Sequence, residues 1–251
     1  MKECLAWEVP PIAVVGEEGD LVELSVGRHR FFWPRELAWK DLAWMYNEVF
    51  LAPATNPHAY ELGDVRIDPA KWVIDAGACE GFFGFYALER GARVILVEPV
   101  ERLCVALRRT FHREIAAERL AVVHAALSDR DGVVGLQMSA EKAYEACAGG
   151  GGVAVPAVKL DSLVRELRLS DVGFLKMDVE GGEMSALAGG AETLQRMRPT
   201  LSVAVYHDLL NGVLCESIAR FFYNGYRTSF RGRYDWDGCE PRPFMMHAVA
   251  S

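Results

Sequence analysis

Four short stretches of this chain carry residues of the right type and spacing for chemistry. The first is Val73-Ile74-Asp75-Ala76-Gly77-Ala78-Cys79-Glu80-Gly81-Phe82-Phe83-Gly84, an apolar run that ends in an acid and a glycine, with two more glycines opening the next segment. A buried strand of that kind delivers Asp75 and Gly77 to the carboxyl edge of a sheet, where open α/β sheets bind their ligands. Glycine admits a ligand close to the backbone, and a carboxylate accepts hydrogen bonds from hydroxyl or ammonium groups. The second stretch is Glu98-Pro99, about twenty residues beyond Gly77, where an acid at a strand end can hold both hydroxyls of a ribose. The third runs from Lys176 to Glu183 (KMDVEGGE), and the fourth is His207-Asp208. Each lies at the end of a further apolar run, so Asp178, Glu180 and His207 belong on the same sheet edge.

The glycine spacing discriminates between ligands. A nicotinamide dinucleotide site uses G-x-G-x-x-G, whose second glycine makes room for a pyrophosphate at the helix start. Here the glycines are Gly77, Gly81 and Gly84, and Cys79 stands where that second glycine belongs. A side chain there crowds a phosphate, whereas S-adenosylmethionine carries none. A nicotinamide-dependent oxidoreductase is therefore the first rival. A non-catalytic protein that keeps the cofactor pocket as a scaffold is the second.

These stretches need elements to position them. Strands are expected at Trp72–Ala76, Val94–Val97, Ala121–Leu127, Val133–Met138, Val153–Val158, Gly173–Met177 and Leu201–Tyr206, alternating with apolar-faced helices. Phe82–Arg90, Glu101–Arg113, Glu183–Met197 and Cys215–Asn224 read as helices, as does Asp161–Leu169, with Asp161 as its cap. Tyr226–Phe230 and Phe244–Val249 read as an antiparallel pair. Continuous apolar strands alternating with helices imply an α/β, Rossmann-like parallel sheet covered on both faces. The first seventy residues differ. Ile12–Val15 and Leu21–Val26 form a hairpin pattern, Arg35–Phe50 a helix, and Ala52–Pro69 a proline-bearing loop. Trp33, Trp39 and Trp44 make this extension a lid over an acceptor, a dimer element, or simply a layer packed on the core. Gly149–Gly152 is either a hinge for a flap or an ordinary loop.

The run VIDAGACEGFFGFYALERGARVILVEP, then AALSDRDG, LDSL and FLKMDVEGGEMSALAGGAETL, resembles the FkbM family of S-adenosylmethionine-dependent methyltransferases. The resemblance covers Lys71 to the C-terminus and leaves residues 1–70 unmatched. It implies a mostly parallel seven-stranded sheet with the last strand antiparallel, and methylation of a hydroxyl on a natural product or sugar. The cofactor assignments are Asp75, Gly77 and Gly81 along the methionine part, Glu80 toward its ammonium, Glu98 and Pro99 at the ribose, Ala126 and Leu127 against adenine, and Asp178 between cofactor and acceptor. His124 is a further adenine contact or a satisfied, half-buried residue.

Methyl transfer to a hydroxyl needs in-line alignment and removal of a proton. His207 or Asp178 is the expected base, an unperturbed imidazole titrating at about 6.5, and Glu180 shapes the turn between them. Glu183 reads as helix-end stabilisation. No metal ligand set is assigned. Magnesium or manganese on Asp178, Glu180 and His207 is the less favoured variant.

Composition limits the alternatives. The chain has 251 residues and a formal charge of −8, which disfavours nucleic acid as a partner. Cysteines 4, 79, 104, 147, 215 and 239 form no C-x-x-C pair and read as free thiols. Neither a leader-like apolar segment nor a run of about 18 apolar residues occurs, so a cytoplasmic protein acting on a small molecule, with no membrane partner and a possible homodimer, is the expectation. Arg227, Arg231, Arg233 and Arg242 are either a solvated face or an anion site.

Overall fold

Acidic turns and short alternating runs open the chain as three antiparallel strands, β1 (Ile12–Glu18), β2 (Leu21–Val26) and β3 (His29–Pro34), followed by α1 (Leu42–Phe50). The computed structural model describes residues 8–137, 147–148, 152–233 and 240–251. From residue 72 the expected alternation begins: β4 (Trp72–Ala76), α2 (Phe82–Glu89), β5 (Arg93–Glu98), α3 (Glu101–Thr110), α4 (His112–Ala116) and β6 (Leu120–His124). A small side sheet takes β7 (Ala126–Leu127), β8 (Gly132–Gln137), β9 (Cys147–Ala148) and β10 (Val153–Val158). The alternation resumes with α5 (Leu160–Glu166), β11 (Val172–Met177), α6 (Glu183–Ala188), α7 (Ala191–Arg196), β12 (Thr200–Ala204), α8 (Asn211–Phe222), β13 (Tyr226–Arg231) and β14 (Met245–Ala250).

The central sheet has seven strands in the order β6-β5-β4-β11-β12-β14-β13, with β14 antiparallel to both neighbours and the others parallel. Strand order switches direction between β4 and β11, which opens a crevice at their carboxyl ends. Ile74, Leu96, Leu175 and Val203 are fully buried because layers cover both faces of the sheet. One layer is the N-terminal extension: Phe31, Trp33 and Leu42 share a core with Phe82 and Val94. Trp33 thus packs on the core, while Trp44 is 48% exposed.

Several local expectations change. Residues 29–34 form β3, with His29, Phe31 and Trp33 buried on alternate positions, so the helix starts at Leu42 rather than Arg35. The third strand divides at Ala125, whose N–H turns back to Glu98, and β7 then pairs with β10 in the side sheet. The Glu183–Met197 helix breaks at Gly189-Gly190, where a Cβ on Gly189 would lie 2.0 Å from the Ser128 carbonyl. Asp161 caps a different helix from the one expected, accepting from the Thr193 N–H at 2.8 Å and the Glu192 N–H at 3.0 Å at the start of α7. Residues 149–151 of the glycine run lie outside the described residues. No helix among the described residues is long and apolar enough to cross a membrane.

Candidate active site

The loop after β4 is held tightly against its neighbours. Gly77 has φ +77°, and a Cβ there would lie 1.8 Å from the Asp178 carbonyl, so only glycine fits between the β4 and β11 ends. Cys79 comes next at φ 47°, a left-handed conformation unusual for a side-chain-bearing residue. Its N–H donates to Glu98 Oε2 at 2.9 Å, and the Val100 N–H donates to Oε1 at 2.9 Å. Burial raises Glu98 to about 7, although those two N–H groups pull in the other direction.

The loop divides a cleft into two lobes of about 620 and 440 Å³. Gly77, Cys79, Asp178 and Glu180 line both. The larger lobe adds Glu98, Pro99, Ala126 and Leu127, the set expected for an adenosine. The smaller adds Glu80, whose buried Oε2 has no hydrogen-bond partner, together with Met45, Glu48 and Tyr60 from the extension.

Two expected cofactor contacts are corrected. Asp75 is fully buried and lines neither lobe. Its Oδ1 lies 2.8 Å from Lys176 Nζ, directly across the β4–β11 register. Lys176 also donates to the Gly77 carbonyl at 2.7 Å. Burial alone would lower Lys176, but Asp75 and Asp178 hold it above the ordinary lysine value. Asp75 therefore supports the loop from below. Gly81 lines neither lobe either, because Phe111 and Leu107 occupy the space beside its Cα.

At the ends of β11 and β12 the structure gathers Asp178, Glu180 and His207 as expected. His207 Nε2 lies 3.5 Å from Asp178 Oδ1 and 3.3 Å from Glu180 Oε2, while Nδ1 lies 3.3 Å from Glu183 Oε1. Burial would lower His207, but Glu180, Glu183 and Asp178 raise it to about 11. That direction favours the charged ring over the free imidazole a proton acceptor needs, so of the two expected bases Asp178 is the better placed. Glu180 has φ 53°, a strained backbone that turns the chain under His207.

Several residues here were not expected. His58 and Tyr60 come from the loop of the extension: the Tyr60 hydroxyl donates to Asp178 Oδ2 at 3.3 Å, and His58 Nε2 lies 3.7 Å from the same oxygen. Burial and the nearby Asp178 and Glu80 charges push Glu48 up to about 8. No periodic or spacing signal marks these positions, because they reach the site only through the packing of the extension. Glu183 is fully buried and accepts from the Val179 N–H at 3.0 Å and from Asn211 Nδ2 at 2.9 Å. Its work is inside the site, beyond helix-end stabilisation. His124 is satisfied by the Pro99 carbonyl at 3.0 Å. Arg231 bonds to the Asn56 carbonyl at 2.9 Å and Arg227 pairs with Asp64, so these two fasten the extension's loop. Cys79, Cys104 and Cys215 are free thiols.

A family model described as the methyltransferase FkbM domain matches residues 75–228, more than half of the chain. The chain belongs to the FkbM methyltransferase family. Among solved structures, an FkbM methyltransferase from Methylobacillus flagellatus KT is similar, with a TM-score of 0.58 and 17% identity. That match covers 81% of this chain and 48% of the other protein, so the chain spans about half its relative's length. An O-methyltransferase from Bacillus cereus in complex with SAH aligns at 15% identity and a TM-score of 0.44, covering 84% of this chain and 98% of that one. At these identities the likeness concerns the fold. No curated protein sequence matches this chain.

Proposed function

We propose that this protein transfers a methyl group from S-adenosylmethionine to a hydroxyl of a small molecule, a natural product or a sugar. The observation that carries the reading is the meeting of two lobes at Gly77, Cys79, Asp178 and Glu180, with a buried ribose-type acid on one side and a carboxylate–imidazole cluster on the other. The larger lobe fits an uncharged nucleoside. Ala126 and Leu127 supply an apolar wall, and Glu98 keeps lone pairs for hydroxyl donors beyond those used by Cys79 and Val100. Cys79 narrows the place where a pyrophosphate would lie. The unpartnered Oε2 of Glu80 suits the cofactor's ammonium, with Glu48 facing the same lobe.

When bound, the sulfonium supplies an activated methyl group. The chain's own task is to align the acceptor oxygen, exclude water and receive a proton. Asp178 receives that proton on a carboxylate that Tyr60 orients at Oδ2 and His207 faces at Oδ1. His207 balances the acids around it rather than acting as the base.

Titration calorimetry with S-adenosylhomocysteine tests the reading. The protein should bind it and give no response to NAD(H), and Glu98→Ala should weaken binding at least tenfold, about 1.4 kcal/mol. Unchanged affinity in the folded variant would refute the ribose assignment. Mass spectrometry of turned-over acceptor candidates should find the added methyl on oxygen; methyl found on nitrogen would overturn that part.

A further inference from the structure

The contacts within the Asp178–Glu180–His207 cluster are longer than close hydrogen-bonded ion pairs. A charge-assisted hydrogen bond between imidazolium and carboxylate is about 2.7–2.9 Å long. Here the contacts are 3.3 and 3.5 Å from Nε2 and 3.3 Å from Nδ1, and both ring nitrogens lack a hydrogen-bond partner although the side chain is only 9% exposed. Those separations suit a different arrangement. With bonds of about 2.1 Å, neighbouring ligand atoms around a cation lie about 3.0 Å apart in an octahedron and about 3.4 Å apart in a tetrahedron. One ligand atom from each of Asp178, Glu180 and His207 falls within 4.8 Å of the others, as a shared ion requires.

Support behind the cluster has the form metal sites need. A ligating histidine has its second nitrogen fixed by a carboxylate or carbonyl, which sets the ring's orientation. Glu183 Oε1 stands 3.3 Å behind Nδ1, longer than a close hydrogen bond but placed to orient the ring, and is itself fully buried and tied to Val179 N and Asn211 Nδ2. Tyr60 holds Asp178 Oδ2, leaving Oδ1 toward the common point. Glu180 reaches that point from a strained backbone at φ 53°. Asp178 and Glu180 remain 17% and 32% exposed, so the cluster is open on one side, as a site that receives a substrate atom must be.

We propose that Asp178, Glu180 and His207 bind one divalent first-row cation, with Glu183 as the positioning residue for His207. Two carboxylate oxygens and one imidazole nitrogen favour a cation of the manganese type over thiolate-seeking ions. As a docking point for the acceptor oxygen the ion rests on the methyl-transfer reading above; as a binding site it does not.

Titrating Mn2+ into the full chain, with free ion read by electron paramagnetic resonance, tests this without cofactor or acceptor. One saturable site is expected. His207→Gln and Asp178→Asn should each weaken it at least tenfold, and Glu183→Gln by about tenfold to a hundredfold. Pulsed spectra of the wild-type complex should show imidazole nitrogen coupling, a readout that needs no variant to fold. Absence of saturable binding, or bound Mn2+ without nitrogen coupling, would overturn the proposal. So would binding that persists when Asp178→Asn and His207→Gln are combined, because that places the ion on surface acids. Parallel titration with S-adenosylhomocysteine separates the two ideas: cofactor failure with Mn2+ bound sinks only the transfer reading, and the converse sinks only the ion site.

Discussion

Asp75 and Asp178 leave neighbouring parallel strands, one inside β4 and the other just past the end of β11, and their surroundings differ sharply. Asp75 is fully buried and meets Lys176 at 2.8 Å, a pair whose acid lines neither lobe of the cleft. Asp178 lies two residues beyond that lysine, lines both lobes and stands 3.5 Å from a histidine shared with two more acids. A buried charge is tolerable when its opposite lies in direct contact. An open group of mismatched charges is not closed in that way and can accept a ligand. The first arrangement supports the fold and the second is the one proposed to do chemistry, although the sequence presents both as acids at strand ends.

The largest effect should come from breaking the buried pair. Lys176→Met leaves Asp75 as an uncompensated buried charge and should cost about 3–5 kcal/mol of stability. Chemical denaturation reads that loss, and a change under about 1 kcal/mol would mean that Asp75 is neutral or reached by water. Asp178→Asn should do the reverse, leaving the denaturation midpoint near the wild-type value while methyl transfer falls about 10²–10⁴-fold. Single-turnover rates with cofactor saturating check it. Loss of folding in this variant would erase the contrast between the two aspartates.

A smaller effect sharpens the role of the extension. Tyr60→Phe removes one hydrogen bond to Asp178 and should slow transfer by about fivefold to tenfold, with S-adenosylhomocysteine affinity unchanged. An equal loss in cofactor binding would shift Tyr60 from orienting Asp178 to lining the nucleoside site.

The smallest is a pH dependence at Glu98. Burial raises this acid above its unfolded value to about 7, so the folded free protein holds a proton that the unfolded chain has released. Its stabilising contribution is complete on the acid side and is lost as pH rises through 7. Ribose hydroxyls, by contrast, donate best to the ionised carboxylate. Between about pH 5 and 7 the free protein should become less stable while S-adenosylhomocysteine binds more tightly, and both slopes should level off above 7. Glu98→Gln should flatten both slopes. Parallel slopes of the same sign in wild type would mean that Glu98 does not meet the cofactor.

Much of this was legible before folding is considered. Continuous apolar runs fixed the parallel strands, because a strand buried on both faces can carry no alternation. The acid–glycine loop, Glu98 and the Asp178–Glu180–His207 set were readable for a related reason: strand ends converge on one sheet edge whatever the loops do. β3 was equally available, since His29, Phe31 and Trp33 are buried at alternate positions, although no element is assigned to residues 29–34 from the sequence.

Tertiary structure alone decided which acids face the cleft. Asp75 and Lys176 are about a hundred residues apart and meet only because strand order places β11 beside β4. The same holds for Glu48, His58 and Tyr60, whose segment carries no signal of its own until it packs over the sheet edge. Periodicity reports how deeply a residue is buried, not which partner waits there. Pair distances, and with them the difference between a structural charge and a reactive one, are set by strand order and layer packing.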